Sequence, residues 1–237
     1  VSSVIEDANV VLLDIEGTTT PIDFVYKTLF PFARTHMGSF VEQHFATEGV
    51  ANGVDLLEQD HLAETEANPP EWERTPAAVS RYALWLMDQD RKATGLKLLQ
   101  GLIWKEGYKT GELKATLYDD IAPAIHRWVE AGKRVCIYSS GSVLAQKLLF
   151  AHTTFGDLTS QLSAYFDTTT GPKREAESYR KIALQLDVEP GEILFLSDIV
   201  PELDAADKAG TGTGLVIRDD PPENPGEYQT YKDFNKL

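Results

Sequence analysis

A chain of 237 residues, 42% hydrophobic and 25% charged, can bury one large domain, or a core of about 150 residues with a smaller inserted one; it is not a disordered or fibrous composition. Its formal charge of −15 disfavours nucleic acid and anionic lipid as partners, so an anionic small molecule would need cations gathered locally. One cysteine, Cys136, excludes an intrachain disulfide and fits a reducing cytoplasm.

No apolar run approaches the roughly 18 residues that span a bilayer. The first residues show no basic region followed by a long apolar segment, so no secretory signal is expected. Disorder is expected only across Asp219–Tyr228, which is rich in Pro, Asp, Glu and Gly.

In chain order, Val10–Leu13 reads as a strand buried on both faces. From about Phe24 to Leu113 the pattern turns helical. Val79, Tyr82, Ala83 and Leu86 fall on one face, as do Leu96, Leu99, Leu102 and Ile103, with polar stretches such as Glu64–Thr75 between helices. Ile121–Glu130 reads as a helix stopped at Ala131-Gly132. The apolar run Arg134–Tyr138 is a strand, which makes Cys136 a buried structural thiol. Helices at Val143–Ala151 and Glu175–Leu186 follow, then a strand at Ile193–Leu196. A helix at Pro201–Ala209 closes at Gly210, and a strand at Leu215–Ile217 ends the series. This alternation predicts a doubly wound parallel α/β sheet with helices on both faces. Residues 1–23 and 114–237 would form the core, and residues 24–113 an all-helical cap inserted after the first strand.

Ligands of open α/β sheets bind beyond the carboxyl ends of the strands. Asp14-Ile15-Glu16-Gly17-Thr18 stands there: two carboxylates at i and i+2, then a turn-permitting Gly, can share a metal ion and a phosphoryl group. Ser139-Ser140-Gly141-Ser142 offers hydroxyls and backbone N–H groups to phosphate oxygens after the second strand. Lys173 sits on a Gly-Pro loop, suited to neutralise a phosphate. Asp198 follows the third strand as a further hard oxygen ligand, while Glu202 and Asp204 are placed on the next helix, complementing its N-terminus. Each alone also reads more plainly, as solvated turn acids, a polar cap or a surface lysine. Random loops would rarely supply all four in this order.

Other chemistries fit less well. The G-x-S-x-G elbow of serine hydrolases is absent. Gly210–Gly214 precedes a strand instead of following one, the wrong place for a dinucleotide fingerprint. His36, His44, His61, His126 and His152 have no zinc-ligand spacing.

The order of these motifs resembles the haloacid dehalogenase superfamily of phosphatases, and more closely its acireductone synthase (enolase-phosphatase) family. Leu13–Pro21 (LDIEGTTTP), Tyr138–Phe150 (YSSGSVLAQKLLF), Gly171–Ala183 (GPKREAESYRKIA) and Ile193–Asp198 (ILFLSD) carry the likeness. Most of the superfamily has Asp two positions after the nucleophile; Glu16 departs from it in the manner of this one family. The resemblance implies a Rossmann-like core, a helical cap and one Mg²⁺ per chain. It implies enolisation of 2,3-diketo-5-methylthiopentyl-1-phosphate, then hydrolysis through an aspartyl phosphate to 1,2-dihydroxy-3-keto-5-methylthiopentene, in methionine salvage. Asp14 would be nucleophile and metal ligand, Glu16 and Asp198 further metal ligands, and Glu16 also the general acid/base. Ser139, Ser140 and Lys173 would hold the substrate, Lys173 acting in catalysis as well. A cytoplasmic monomer is expected (or nuclear, if eukaryotic), with a phosphorylated small molecule as partner and neither nucleic acid nor membrane. The motifs leave open a phosphatase for another small ester, and a metal-free dehalogenase using the same nucleophile. Cap contacts to the substrate are not legible, although Tyr26, Phe30, Phe32, Trp85 and Trp104 are candidates.

Overall fold

A helical turn, α1 (Val4–Asp7), leads into β1 (Val10–Leu13), whose four apolar residues are fully buried. Such a strand needs cover on both faces, which only a central place in a parallel sheet provides. The computed structural model describes residues 4–65 and 68–237, and the chain divides into two compact units: Val1–Val25 with Lys114–Leu237, and Tyr26–Leu113. Residues 66 and 67 of the polar Glu64–Thr75 stretch lie outside the described residues.

After β1 come the short α2 (Ile22–Phe24) and a π-helical segment, Val25–Leu29. The second unit holds α3 (Phe30–His44), α4 (Glu48–Leu62), α5 (Pro76–Asp88) and α6 (Thr94–Thr110). Their apolar faces form one core: Val79, Tyr82, Ala83 and Leu86 are all buried, as are Leu96, Leu99 and Ile103, with Leu102 packed at its margin. The Thr75 hydroxyl accepts from Ala78 N with Pro76 in the first turn, a start signal that fixes where α5 begins. Gly111, at φ +80°, ends α6 in the left-handed conformation.

The first unit resumes with α7 (Ile121–Glu130), β2 (Arg134–Tyr138), α8 (Val143–Ala151), β3 (Leu162–Phe166), α9 (Ala176–Leu186), β4 (Ile193–Ser197), α10 (Val200–Lys208), β5 (Gly212–Val216) and β6 (Thr230–Tyr231). The six strands are parallel, in the order β3-β2-β1-β4-β5-β6. Leu13 is in register with Ile137 of β2 and Leu196 of β4, so three central strands end at one level. The loops carrying Asp14, Ser139 and Asp198 leave from that level.

Two strands were missed in the sequence, and both lie at sheet edges. β3 is buried at Leu162 and Phe166 but open between them, so it lacks a continuous apolar run; β6 has two residues. β5 starts earlier than the expected Leu215–Ile217 because its glycines are in the strand. A Cβ on Gly214 would lie 2.6 Å from the Tyr231 ring and 2.7 Å from Leu196, so that glycine serves close packing. Asp219–Tyr228 forms no helix or strand, and the Tyr228 hydroxyl donates to Asp204 Oδ1 at 2.5 Å. Among the described residues no helix is long and apolar enough to cross a membrane.

Helices α4 and α6 touch at Gly53 and Gly95. A Cβ on Gly95 would stand 2.8 Å from Gly53 O and from Leu57 N, both backbone atoms that cannot swing aside. Helix propensity alone would favour Gly95→Ala by roughly 0.5–1 kcal/mol, but overpacking costs about 1–3 kcal/mol. We therefore expect Gly95→Ala to be net destabilising in urea unfolding; a midpoint at or above the wild-type value would contradict this packing.

Candidate active site

Asp14 follows the last residue of β1 and is 2% exposed. Its N–H donates to Leu196 O at 3.0 Å, which extends the β1–β4 pairing by one residue and fixes the direction of the side chain. Asp14 Oδ1 accepts from Ile15 N at 2.8 Å and from Lys173 Nζ at 2.6 Å, while Oδ2 accepts from Ser197 Oγ at 3.1 Å. The two bonds to Oδ1 fix the orientation of the carboxylate, and Oδ2 lies within reach of the Ser197 hydroxyl.

Lys173 is buried, far from the exposed lysine that the plainer reading of its loop allowed. The loop is stapled from below: Tyr138 OH donates to Gly171 O at 2.8 Å, Ser178 Oγ to Pro172 O at 2.8 Å and Tyr179 OH to Lys173 O at 2.7 Å. A side chain at Gly171 would put its Cβ 2.2 Å from Ser178 Oγ, which explains the glycine. The ammonium reaches Glu202 Oε2 at 2.6 Å as well as Asp14. Burial pushes the Lys173 pKa down, but the Asp14 and Glu202 charges outweigh it and hold it above the ordinary lysine range. Glu202 does stand in the first turn of α10, as the sequence suggested, yet its carboxylate is committed to Lys173. The missed signal is its place four residues after Asp198, in the first turn of α10. Ser197 Oγ lies 3.2 Å from Glu202 Oε2, so its single proton can go to either carboxylate, while it accepts from Ile199 N at 3.1 Å.

Asp198 follows β4. Its N–H donates to Thr18 Oγ1 at 3.1 Å, and that hydroxyl donates to Asp198 Oδ1 at 3.3 Å. Gly17, at φ +73°, is required twice: for the tight turn, and because a Cβ there would stand 2.3 Å from Asp198 Oδ2. Burial, and then the charge of Asp14, push the Asp198 carboxyl up to about 7.

Glu16 turns toward β2, where its Oε2 accepts from Ser139 Oγ at 3.4 Å. Ser139 is 1% exposed, and its Oγ also accepts from Gly141 N at 3.1 Å, which closes the turn. Ser140 sits on the same turn, partly buried. Asp167, after β3, supports this loop by accepting from Val143 N at 3.1 Å, a helix-start contact that sequence reasoning did not single out.

The structure thus joins Asp14, Lys173 and Ser197 directly, Asp198 to the loop after β1 through Thr18, and Glu16 to Ser139. Two carboxylates, Asp14 and Glu202, share one ammonium, and the Asp198 carboxyl feels the charges of both Asp14 and Lys173: hard oxygen donors in excess of the positive charge. A hard divalent cation fits that donor set, since Mg²⁺ takes only one or two protein carboxylates and fills its remaining positions with water and phosphate oxygen. Among the described residues no group of three or more His, Cys, Asp or Glu side chains is placed to hold a metal ion, so a cation here would rest on one or two carboxylates.

The family model of haloacid dehalogenase-like hydrolases matches residues 8–210, and enolase-phosphatase E1 of Synechococcus elongatus is 50% identical over 231 residues, 95% of this chain and 96% of that one. The chain belongs to the haloacid dehalogenase-like hydrolases, in their enolase-phosphatase family. The enolase-phosphatase E1 of Drosophila mojavensis is 44% identical over 216 residues, 89% of this chain and 86% of that one. Among solved structures, the UTR4 protein of Saccharomyces cerevisiae superposes with a TM-score of 0.79 at 38% identity, covering 97% of this chain and all of that one. CbbY of Rhodobacter sphaeroides, at 16% identity and a TM-score of 0.59, shares the hydrolase fold.

The raised Asp198 pKa has a consequence for this hydrolase without metal. A carboxyl whose folded pKa exceeds its unfolded value stabilises the fold below the unfolded pKa, and that contribution is lost as pH rises through the folded value, here from about 4 to about 7. In chelator, Asp198→Asn should therefore raise the melting temperature at pH 8 relative to wild type, by an amount worth on the order of 1–3 kcal/mol, and leave it little changed at pH 4.5. Equal shifts at both pH values would contradict this electrostatic account.

Proposed function

We propose that the chain is an acireductone synthase, a Mg²⁺-dependent enolase-phosphatase acting on 2,3-diketo-5-methylthiopentyl-1-phosphate in methionine salvage. The observation that carries the hydrolytic half is the Asp14 carboxylate, fixed by Lys173 at 2.6 Å where the central strands end. The choice of substrate rests on likeness to the enolase-phosphatases of Synechococcus elongatus and Drosophila mojavensis.

Asp14 attacks phosphorus, the bond from phosphorus to the enol oxygen breaks, and the leaving oxygen takes a proton. Water then attacks the aspartyl phosphate, releasing inorganic phosphate and restoring the carboxylate. Orientation is the main contribution of the protein. Held at Oδ1 by Ile15 N and Lys173, Asp14 loses little freedom when the ester arrives. Lys173 stays charged and offsets repulsion between that carboxylate and a phosphate dianion. Ser140 would present a hydroxyl for substrate oxygens from the turn after β2, and Ser139, buried and donating to Glu16, would join it if its proton turned to the substrate. Asp14 and Asp198 would hold one magnesium ion per chain, with Glu16 beside them as the third ligand that the family pattern implies. When bound, the ion supplies charge neutralisation at phosphoryl and enolate oxygens.

Glu16 is the residue we assign to proton transfer, both for the leaving group and for enolisation. Its carboxylate lies against the Ser139 hydroxyl, between the nucleophile loop and the proposed substrate turn. The 26–113 unit acts as the cap in this reading, and the enzyme works as a cytoplasmic monomer. A single buried thiol, Cys136, needs no oxidising compartment.

The test is incubation with the diketo phosphate and Mg²⁺, following acireductone absorbance and released phosphate together. Both should rise in step and stop in chelator. Phosphate from generic esters with none from this substrate would replace the reading with another phosphatase, and turnover indifferent to chelation would point to metal-free chemistry. Asp14→Asn should lower phosphate release at least about 10³-fold, because the amide is a poor nucleophile. Glu16→Gln should slow both half-reactions. Rapid accumulation of enol phosphate in that variant would remove Glu16 as the enolising base.

A further inference from the structure

Beyond residue 210, where the family match ends, a buried ion pair reaches back to the nucleophile loop. Arg218 lies just after β5, and its side chain is 5% exposed. Its Nη1 contacts both oxygens of Asp120 at 2.9 Å, and its Nε donates to Thr18 O at 2.9 Å. The guanidinium also lies against two aromatic rings, 4.4 Å from the Tyr118 centroid and 4.7 Å from that of Phe234. Asp120 precedes α7 in the N-cap position, yet its side chain makes no cap hydrogen bond there; it goes to Arg218 and to Phe234 N, at 2.7 Å. Tyr118 N donates to Thr19 O at 3.1 Å, so the same cluster grips the loop at two successive carbonyls.

We propose that Arg218, locked by Asp120, is a positioning residue that fixes the Thr18 carbonyl and thereby sets Asp198 against Asp14 for cation binding.

The chain of contacts is short and each link is directional. Arg218 holds the Thr18 carbonyl, and the Thr18 hydroxyl both accepts from Asp198 N and donates to Asp198 Oδ1. Thr18 itself is completely buried, so no water stands in for either bond. A buried ion pair is a poor device for stability alone, because desolvation consumes most of its Coulombic gain and apolar residues of like volume often do as well. Arg218 Nη2 is buried without a protein hydrogen-bond partner, which weakens the stability argument further. What the pair does provide is a planar donor whose orientation is set by a carboxylate and two neighbouring rings, aimed at one carbonyl.

This inference rests on the proposed metal role of Asp198, but its test is separable from turnover. Arg218→Lys keeps a cation beside Asp120 without a rigid second donor for Thr18 O. Thr18→Val keeps the shape of the side chain and deletes the hydroxyl. Mg²⁺ affinity of the metal-free proteins would be measured by titration calorimetry, with melting temperatures in chelator as the fold control. Each variant should bind Mg²⁺ about tenfold or more weakly while melting as a cooperative unit, and kcat should fall with little change in KM. The double variant should be no weaker than the worse single one, because both act through one chain of contacts. Wild-type Mg²⁺ affinity in Arg218→Lys, or losses that multiply in the double variant, would overturn the proposal. If the wild-type protein failed to turn over the diketo phosphate, the substrate reading would fall and the calorimetric comparison would still decide this one.

Discussion

One buried ammonium holds the site together. Lys173 lies between Asp14 and Glu202, 2.6 Å from each, in surroundings where an unpaired charge of either sign would be costly. Removing the cation would leave two carboxylates facing each other out of water, and removing either acid would leave the ammonium half-compensated. The Gly171–Lys173 loop is therefore tied down by three hydrogen bonds, from Tyr138, Ser178 and Tyr179. The two tyrosines also belong to the sheet-and-helix core. Packing that stabilises the fold and geometry that serves the site are here the same contacts.

The sheet supplies the other half of the constraint. Because Leu13, Ile137 and Leu196 are in register, the chain leaves three neighbouring strands at one level, and side chains distant in sequence meet without long loops. Glycine appears where the backbone crowds a polar side chain: Gly17 against the Asp198 carboxylate, and Gly171 against the Ser178 hydroxyl. Charge is deliberately unbalanced in this arrangement. Acids outnumber the one buried lysine, and such an excess of negative charge disfavours a phosphate unless further positive charge is present; in the proposed reaction the divalent ion would supply it.

Most of this was legible because it is local. The central strands are unbroken apolar runs, and the helices carry amphipathic faces with stop signals at Gly132 and Gly210. Asp14, Ser139 and Asp198 could be located from strand ends alone. What escaped notice depends on distance in sequence. β3 and β6 are edge strands with little apolar content, so their pairing partners define them. Glu202 read as an ordinary acid of a first helical turn, since nothing nearby announces a lysine 29 positions earlier. Nothing local marks Arg218 or Asp120 either, since they meet across 98 positions. Among the aromatic candidates of the 26–113 unit, Trp85 stacks on buried Tyr82 at 5.7 Å and Trp104 Nε1 donates to Leu29 O at 2.8 Å, both packing roles. Phe32 packs against Gly107, whereas Tyr26 is 62% exposed.

The most direct measurement of the central claim is an acid quench during the first turnover with the diketo phosphate and Mg²⁺, followed by peptide mass spectrometry. The account predicts a transient phosphoryl group on the peptide carrying Asp14, appearing before inorganic phosphate accumulates and absent from Asp14→Asn. Steady phosphate release with no protein-bound phosphoryl group at any quench time, or a label on another peptide, would contradict it.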